Sequence, residues 1–349
     1  MNIKRSNFDF VGFCLKHDII NHHGILLLAA NTTIGKEHIV LLMNNHIILT
    51  EHDFISEQEN NLAPQKDTIT EKLIEEATLQ VKDIFQFVRK RNKIPILEVR
   101  NHIIPVIHQA SENSDVVQLF SMLQSKDDYT YRHNIGVGVF ATLIGKWLHL
   151  HESDLKLLTI SATLHDVGKM KIPDEILNKP GRLTAAEYDE IKKHTTYGYE
   201  MLKKTIGISP TCALVALQHH EREDGSGYPF GLKGDKIHQF SKIVAVADIF
   251  HAMTSKRAYH EPAPFYKVIN QMQEDRFGKL DPKIIRLFLH KIMMILIGSE
   301  VVLSDGRKGE IVMIHTHEPA RPLVKIGNEF IDLSKSSSIN IEQIALPYA

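Results

Sequence analysis

The sequence predicts a mainly α protein in which a helical block is flanked by a small N-terminal α/β unit and a small C-terminal β unit. Three observations indicate this fold class. Residues 116–296 combine helical spacing of apolar residues with repeated helix-start signals. Residues 1–55 contain both a strand-like and a helix-like stretch. Residues 297–349 carry turn residues between short β-branched runs, which is typical of hairpins.

The first unit is predicted to cover residues 1–55. An apolar run at residues 24–30 indicates a buried strand, and residues 35–44 indicate a short helix. A second strand is expected at residues 47–49. The unit carries no legible cofactor fingerprint, so a regulatory or dimerisation role, and with it a homodimer, is left open.

Residues 56–115 are predicted to be a linker followed by helices. The polar stretch 56–66 indicates the linker. From Thr70 onwards, apolar residues recur three and four positions apart, which predicts an amphipathic helix. Another helix is expected after Pro95, ending before Pro105 or continuing across it.

The helical block at residues 116–296 shows three separate start signals. Thr184 and Glu187 form a capping-box pattern, and the helix that begins there is expected to carry His194. Ser209 places an N-cap before a proline at the first helical position. Ser241 precedes the apolar helix expected at residues 243–253.

The C-terminal unit, residues 297–349, is predicted to be a small β structure. Residues 301–303 and 309–314 indicate a hairpin around the Ser-Asp-Gly turn that ends at Gly306. Two further strands are expected at residues 323–326 and 330–333.

Composition narrows the function classes. The chain has 349 residues and a formal net charge of -1, so no excess of positive charge indicates long nucleic acid as a partner. Two cysteines, Cys14 and Cys212, cannot form a disulfide framework and suit a reducing compartment. No apolar run approaches the roughly 18–20 residues of a membrane span. We therefore expect a cytoplasmic protein without a membrane span.

The strongest local signal is the adjacent pair His165-Asp166, followed by Gly168-Lys169. Such a pair offers an imidazole nitrogen and a carboxylate to one metal, and the second carboxylate oxygen can reach another. Lys169 lies four residues after His165, which predicts that both share one helical face. A cation there can contact a phosphate oxygen. The pair His17-Asp18 is not followed by Gly-Lys and has no clear set of other ligands nearby, so it is expected to have no metal role.

The further candidate ligands in the same block as His165-Asp166 indicate a metal centre. Five predicted helices each deliver a candidate ligand within the same block, and mixed nitrogen and oxygen ligands suit transition metals better than calcium. Taken singly, each residue also has an ordinary interpretation, such as a solvated helical histidine or a buried hydrogen-bond acceptor. In chain order the candidates are His133, His165, Asp166, His194, His219, His220 and Asp248.

This order resembles the HD-domain metal phosphohydrolases and, more closely, their HD-GYP branch. The segment from His219 to Pro229 reads HHEREDGSGYP and includes the Gly-Tyr-Pro that names the branch. Residues 246–250 and 254–259 are similar to later motifs of the same branch. The resemblance covers about residues 116–290 and several motifs agree in order.

The resemblance implies an HD-type helical bundle and a bacterial second-messenger phosphodiesterase that hydrolyses cyclic di-GMP to linear pGpG. It implies two divalent metal ions, with iron or manganese favoured and zinc or nickel as alternatives, and attack by a metal-bridging hydroxide. The first ion would be held by His133, His165, Asp166 and Asp248. The second would be held by Asp166, His194, His219 and His220. The implied substrate contacts are Lys169, Gly227, Tyr228, Arg257 and Tyr259, with Asp166 and Lys169 as catalytic residues.

Three positions depart from the pattern. Tyr129 stands where some family members carry a glutamate for a third metal, so we expect two metals and a linear product. His251 replaces a second aspartate three residues after Asp248 and is expected behind the ligands or as an extra nitrogen ligand. His260 replaces a lysine and weakens phosphate binding there.

Two alternatives remain open from the sequence. His251 and His260 are compatible with a catalytically weak protein that binds a cyclic dinucleotide and regulates a partner. The metal chemistry alone also permits hydrolysis of another cyclic dinucleotide or nucleotide. Tyr228 has a structural alternative too, as a turn residue beside Pro229.

Overall fold

The computed structural model describes two compact units, Met1–Ile69 and Thr70–Ala349. For residues 20, 26, 63–69, 113 and 129 it describes the backbone alone. The described residues are 10, 13–20, 26–28, 32–35, 38–39, 42–43, 45, 47–50, 53–54, 63–113, 119, 122–123, 129–255, 265–275, 278–336 and 338–344.

The first unit contains a two-stranded antiparallel sheet of β1 (Ile19–Ile20) and β2 (Leu26–Leu28). The strand expected at residues 24–30 is thus confirmed in its described part, and residues 38–39 and 42–43 are helical as predicted. The strand expected at residues 47–49 is wrong. There the backbone N–H of Ile47 donates to the Leu42 carbonyl at 2.9 Å, so the chain turns off the helix and joins no ladder.

A long helix, α1 (Ala63–Arg91), begins in the last residues of the first unit, before the predicted Thr70, and continues into the second unit. The next helical segment runs through Pro105 by means of a π-helical turn, Val99–Ile103, before α2 (Ile104–Asn113). In this turn the Ile104 N–H donates to the Val99 carbonyl five residues back. Such single π turns accommodate an interruption of the regular helix ladder, and proline lacks the donor that a regular ladder needs.

Most of the second unit is helical, as predicted. The helices are α3 (Tyr129–Trp147), α4 (Glu152–Thr163), α5 (Ala185–Lys192), α6 (His194–Lys203), α7 (Pro210–Gln218), α8 (Gln239–Thr254), α9 (Phe265–Asp275) and α10 (Pro282–Met294). Short turns lie between them at Val167–Lys171 (3-10), Asp174–Leu177 (α) and Gly234–Lys236 (3-10).

Two of the three predicted helix starts are confirmed. Thr184 forms the capping box with Glu187, and the Ser209 hydroxyl accepts from the Thr211 N–H. The start at Ser241 is wrong, because His238 caps α8 by accepting the Phe240 N–H on its Nδ1 at 3.1 Å. Imidazole can cap because its unprotonated nitrogen accepts a hydrogen bond as a serine hydroxyl does.

The helices pack around α3, which contacts α4 on one side and α8 on another, while α6 lies against α7 and the 3-10 turn Val167–Lys171. These elements share one hydrophobic core, to which α3 contributes Phe140 and α8 contributes Phe250, both fully buried. The core fixes the relative positions of α3, α4, α6, α7 and α8. Among the described residues, no helix is long and apolar enough to cross a membrane.

The strands of the C-terminal sheet are β3 (Glu300–Leu303), β4 (Lys308–Met313), β5 (Leu323–Ile326), β6 (Glu329–Asp332) and β7 (Ile341–Ile344). They are antiparallel and lie in the order β6-β5-β4-β3-β7. The predicted hairpin and the two strands after it are confirmed, whereas β7 was not anticipated. Several apolar residues of the sheet belong to the same core as the helices, among them Val301 and Ile311.

Candidate metal centre

All seven candidate ligands lie in two adjoining groups inside the helical block. In each group the ligand atoms lie within 4.8 Å of one another. Six of the seven residues are buried, and His220 is half-buried. The first group is His133, His165 and Asp248, and the second is Asp166, His194, His219 and His220.

Helix ends supply most of these side chains. His165 and Asp166 lie between α4 and the 3-10 turn, and His219 and His220 directly follow α7. His194 was expected on the capping-box helix, and this is wrong. That helix ends at Lys192. Lys193 then forms a tight turn, in which its N–H donates to the Glu190 carbonyl three residues back, and α6 begins at the next residue. The side chain of His194 therefore projects from the first residue of α6.

The Asp166 carboxylate lies between the two groups. Its Oδ2 is 3.3 Å from His165 Nε2 and 3.9 Å from His133 Nε2. Its Oδ1 is 3.3 Å from His194 Nε2 and 3.8 Å from His219 Nε2. Each carboxylate oxygen thus faces a different set of imidazoles, which is the arrangement a bridging carboxylate needs.

Backbone carbonyls set the tautomer of three of the histidines. The Nδ1 atoms of His165, His194 and His219 lie 2.6, 2.7 and 3.0 Å from carbonyl oxygens three residues earlier in the chain. A carbonyl oxygen only accepts, so each Nδ1 carries the hydrogen. In the neutral form of each ring, Nε2 then has its lone pair directed into the cluster, as in metal-binding histidines.

The site also contains buried polar atoms without hydrogen bonds. Among the described residues, neither Asp166 Oδ1 nor His165 Nε2 has a hydrogen-bond partner, although both atoms are shielded from solvent. Leaving such atoms unsatisfied costs about 1–3 kcal/mol each. A cation between the rings would satisfy both, so the donor set fits one or more divalent metal ions.

Burial and neighbouring charges fix the protonation of the cluster. Burial, reinforced by the adjacent imidazoles, holds the pKa of His219 and of His220 well below the usual range. Burial alone would raise the pKa of Asp166, but Lys169 and His165 outweigh it and the pKa is lowered. At neutral pH His219 and His220 are therefore uncharged imidazoles beside an ionised Asp166, the forms that bind metals. Burial alone would lower the pKa of His165, but the adjacent Asp166 carboxylate outweighs it and the pKa is raised.

The lowered histidine pKa values predict an acid-sensitive metal-free protein. Between the folded-state pKa and the unfolded value near 6.5, the unfolded chain binds more protons, so stability falls as pH decreases through this window. Each of His219 and His220 contributes a slope of up to about 1.4 kcal/mol per pH unit. Urea unfolding of chelator-treated protein at pH 7.5 and 5.5 measures this. An equal free energy of unfolding at both values would contradict it.

Lys169 reaches the cluster by a different geometry from the one expected. The α4 helix ends at Thr163, so Lys169 and His165 do not share an α-helical face. Instead Lys169 lies in the 3-10 turn, three residues after Asp166, and its Nζ pairs with Asp166 Oδ2. The result is a partly exposed cation at the edge of the cluster.

A loop after α7 closes another side of the cluster. The Tyr228 ring stacks on His220 with centroids 4.6 Å apart, and its backbone N–H donates to the His220 carbonyl at 3.1 Å. Gly227 passes so close that a Cβ atom there would lie 2.3 Å from the same carbonyl oxygen. Close backbone packing therefore accounts for this glycine. Burial raises the pKa of Tyr228, so its hydroxyl stays protonated at neutral pH.

Glu221 braces this loop, and its role was missed from the sequence. The side chain is buried, and its two oxygens accept the backbone N–H groups of Phe230 and Leu232 at 2.8 and 2.9 Å. The hydrogen bonds pull the chain beyond Tyr228 back towards α7. An acidic residue after a histidine pair was visible, but nothing in the spacing indicated that it bonds to backbone nine and eleven residues away.

Replacing Glu221 with alanine is expected to loosen the loop. Two part-buried N–H groups would lose charged acceptors, which corresponds to about 2–4 kcal/mol of unfolding free energy. Limited trypsin digestion should then cut faster at Lys233, within the released segment. Glu200→Ala, which removes an exposed carboxylate on α6, is the matched control. Unchanged cleavage and stability in the Glu221 variant would contradict the bracing role.

Four of the residues singled out from the sequence lie outside the described part of the structure. Arg257, Tyr259 and His260 fall in the gap at residues 256–264, and the side chain of Tyr129 is not described. Their expected roles stay predictions. His251 lies outside both groups of converging ligand atoms found among the described residues.

Part of the chain is similar to a known protein family and to proteins of known function. Residues 117–284 match the family model of the HD domain. The chain is 35% identical over 204 residues to a cyclic di-GMP phosphodiesterase of Pseudomonas aeruginosa, covering 58% of this chain and 49% of that protein. It is 41% identical over 178 residues to a cyclic di-GMP phosphodiesterase of Thermotoga maritima, covering 50% and 48%. The chain thus spans about half the length of these curated relatives.

One solved structure and a further relative are also similar to this chain. A solved structure of Bd1817, an HDG"Y"P protein from Bdellovibrio bacteriovorus, aligns with a TM-score of 0.50 at 18% identity. It covers 82% of this chain and 95% of that one, and shows a shared fold. A 3'3'-cGAMP-specific phosphodiesterase of Vibrio cholerae is 37% identical over 164 residues, covering 46% of this chain and 35% of that protein.

Proposed function

We propose that this protein, whose residues 117–284 match the family model of the HD domain, is a metal-dependent phosphodiesterase that opens cyclic di-GMP to linear pGpG in bacterial second-messenger signalling. The observation that carries the proposal is the Asp166 carboxylate, whose two oxygens face separate sets of imidazoles. The similarity to relatives named cyclic di-GMP phosphodiesterases supports the substrate.

The proposed centre holds two divalent transition-metal ions, with iron or manganese favoured and zinc or nickel as alternatives. Divalent metals bound there would lower the pKa of a water molecule and offset negative charge on the phosphoryl oxygens. One ion would be held by His133, His165, Asp166 and Asp248. The other would be held by Asp166, His194, His219 and His220.

The chain's own residues prepare the site for a phosphodiester. Lys169 presents its ammonium at the edge of the cluster, where it is positioned to pair with a phosphate oxygen as well as with Asp166. The Tyr228 ring, held against His220, forms a wall on which a guanine can stack, and its protonated hydroxyl can donate a hydrogen bond. Arg257 and Tyr259 are proposed as further substrate contacts from the sequence alone.

The proposed product is the linear dinucleotide. Position 129 offers a tyrosine where a third metal would need a carboxylate, and a phenol with a pKa near 10 is a poor ligand at neutral pH. With two metals expected, the protein is therefore proposed to hydrolyse one phosphodiester bond of cyclic di-GMP and release pGpG, with slow or no conversion to GMP.

Product chromatography after metal loading tests the proposal. Protein reconstituted with manganese or ferrous iron is incubated with equal concentrations of cyclic di-GMP, 3'3'-cGAMP and cyclic di-AMP. We expect pGpG to accumulate first and fastest from cyclic di-GMP. Tight binding of cyclic di-GMP with no linear product over hours would contradict catalysis and favour a regulatory binding protein.

A second substrate has one specific observation in its favour. Relatives in Vibrio cholerae named for 3'3'-cGAMP are 33–37% identical to this chain, close to the 35% of the Pseudomonas protein. The same panel decides between the two. Faster opening of 3'3'-cGAMP under equal metal loading would make 3'3'-cGAMP the assigned substrate and leave the proposed hydrolysis unchanged.

A further inference from the structure

His133 differs from three of its neighbours in what lies behind its ring. In His165, His194 and His219, Nδ1 bonds to a backbone carbonyl. The Nδ1 of His133 instead lies 3.1 Å from Nδ1 of His251, a buried residue on α8. On its other side, His133 Nε2 lies 3.0 Å from Asp248 Oδ1 within the ligand group.

The hydrogen-bond chemistry of this contact allows one assignment if His133 binds a metal. A neutral imidazole that offers its Nε2 lone pair must carry its hydrogen on Nδ1. That hydrogen needs an acceptor, and among the described residues Nδ1 of His251 faces it at 3.1 Å. His251 must then be the tautomer with its hydrogen on Nε2, so its Nδ1 lone pair is available.

We propose that His251 is a positioning residue that fixes the tautomer and ring orientation of His133, as backbone carbonyls do for the other three histidines. The Oγ atom of Ser255 also lies 3.2 Å from Nδ1 of His251. His251 therefore acts through His133 and supplies no ligand atom itself. The inference rests on the metal centre of the proposed function, but not on its substrate.

Metal affinity measured by chelator competition tests the proposal in the 349-residue chain. His251→Phe keeps the ring volume and removes the acceptor, whereas His251→Asn keeps an acceptor oxygen near the Nδ1 position. We expect the Phe variant to bind manganese about 10- to 100-fold more weakly at its weakened site. The Asn variant should stay within about threefold of the unaltered protein.

Two controls make the outcome decisive. Ser255→Ala leaves the contact with His133 in place and is expected to bind manganese like the unaltered protein. The melting temperatures of the metal-free variants report whether the fold survives. If His251→Phe is folded and binds manganese as tightly as His251→Asn, the positioning role is wrong.

The same titration separates this inference from the proposed function. If the unaltered protein binds no divalent metal, the proposed centre itself fails. If the unaltered protein binds metal and all three variants bind it equally, the centre stands and the role of His251 is overturned. An extra ligand role for His251 would show as weak binding in both the Phe and the Asn variant, which also overturns it.

Discussion

Replacing Asp166 with alanine is expected to disable both halves of the metal centre at once. The Oδ2 atom faces His165 and His133, and the Oδ1 atom faces His194 and His219, so one substitution removes an oxygen from each side. Bound manganese should fall from about two ions per chain to less than one, and phosphodiester hydrolysis should fall at least about 10³-fold. Elemental analysis and product chromatography on the same sample measure both effects.

The chain provides its own control for this prediction. His17-Asp18 is another His-Asp pair, which is exposed and does not belong to the ligand groups found among the described residues. Asp18→Ala should leave metal content and turnover unchanged. If Asp166→Ala retains both ions, or if Asp18→Ala loses them equally, the assignment of the bridging carboxylate is wrong.

Replacing Gly168 with alanine is expected to give the largest loss of stability. The backbone of the 3-10 turn lies against α6 so closely that a Cβ atom on residue 168 would stand 1.9 Å from the His194 carbonyl oxygen and 2.4 Å from the Gly198 nitrogen. Both are backbone atoms, so a helix must move. The unfolding free energy should fall by about 3 kcal/mol or more.

A matched glycine on the opposite side of this contact distinguishes crowding from a general glycine effect. A Cβ atom on Gly198 would meet Ala216 Cβ at 3.3 Å and the Gly168 nitrogen at 3.4 Å, a tight but tolerable fit. Gly198→Ala should change the unfolding free energy by no more than about 1 kcal/mol, because alanine also favours the helix. Urea unfolding of chelator-treated protein compares the two. Equal effects would contradict the steric account.

The candidate centre was predictable because its chemistry depends on residue types and chain order. Mainly α structure, the capping box at Thr184 and the hairpin around Asp305 follow from periodicity and local turn residues. That Asp248 has a polar partner could be anticipated because a carboxylate in an apolar helix is costly without one. Its grouping with His133 was implied by the family resemblance alone.

Features that depend on tertiary packing were not predictable. The break at Lys193 separates two helices whose combined pattern is continuous in sequence. The strand β7 pairs with β3 about 40 residues earlier, a contact that local propensity cannot specify. The loop-bracing role of Glu221 depends on where Phe230 and Leu232 return in space. Side-chain direction, rather than residue identity, was the missing information.

The carbonyl contacts of His165, His194 and His219 have a consequence for the energetics of ion binding. Each ring is anchored to the turn of chain that immediately precedes it, so its rotamer is fixed before any ion arrives. Little side-chain entropy then remains to be lost, and the apoprotein needs almost no reorganisation. If it binds divalent metals as proposed, such a preorganised site would accept ions of similar radius without remodelling, so metal availability would contribute to which ion it carries.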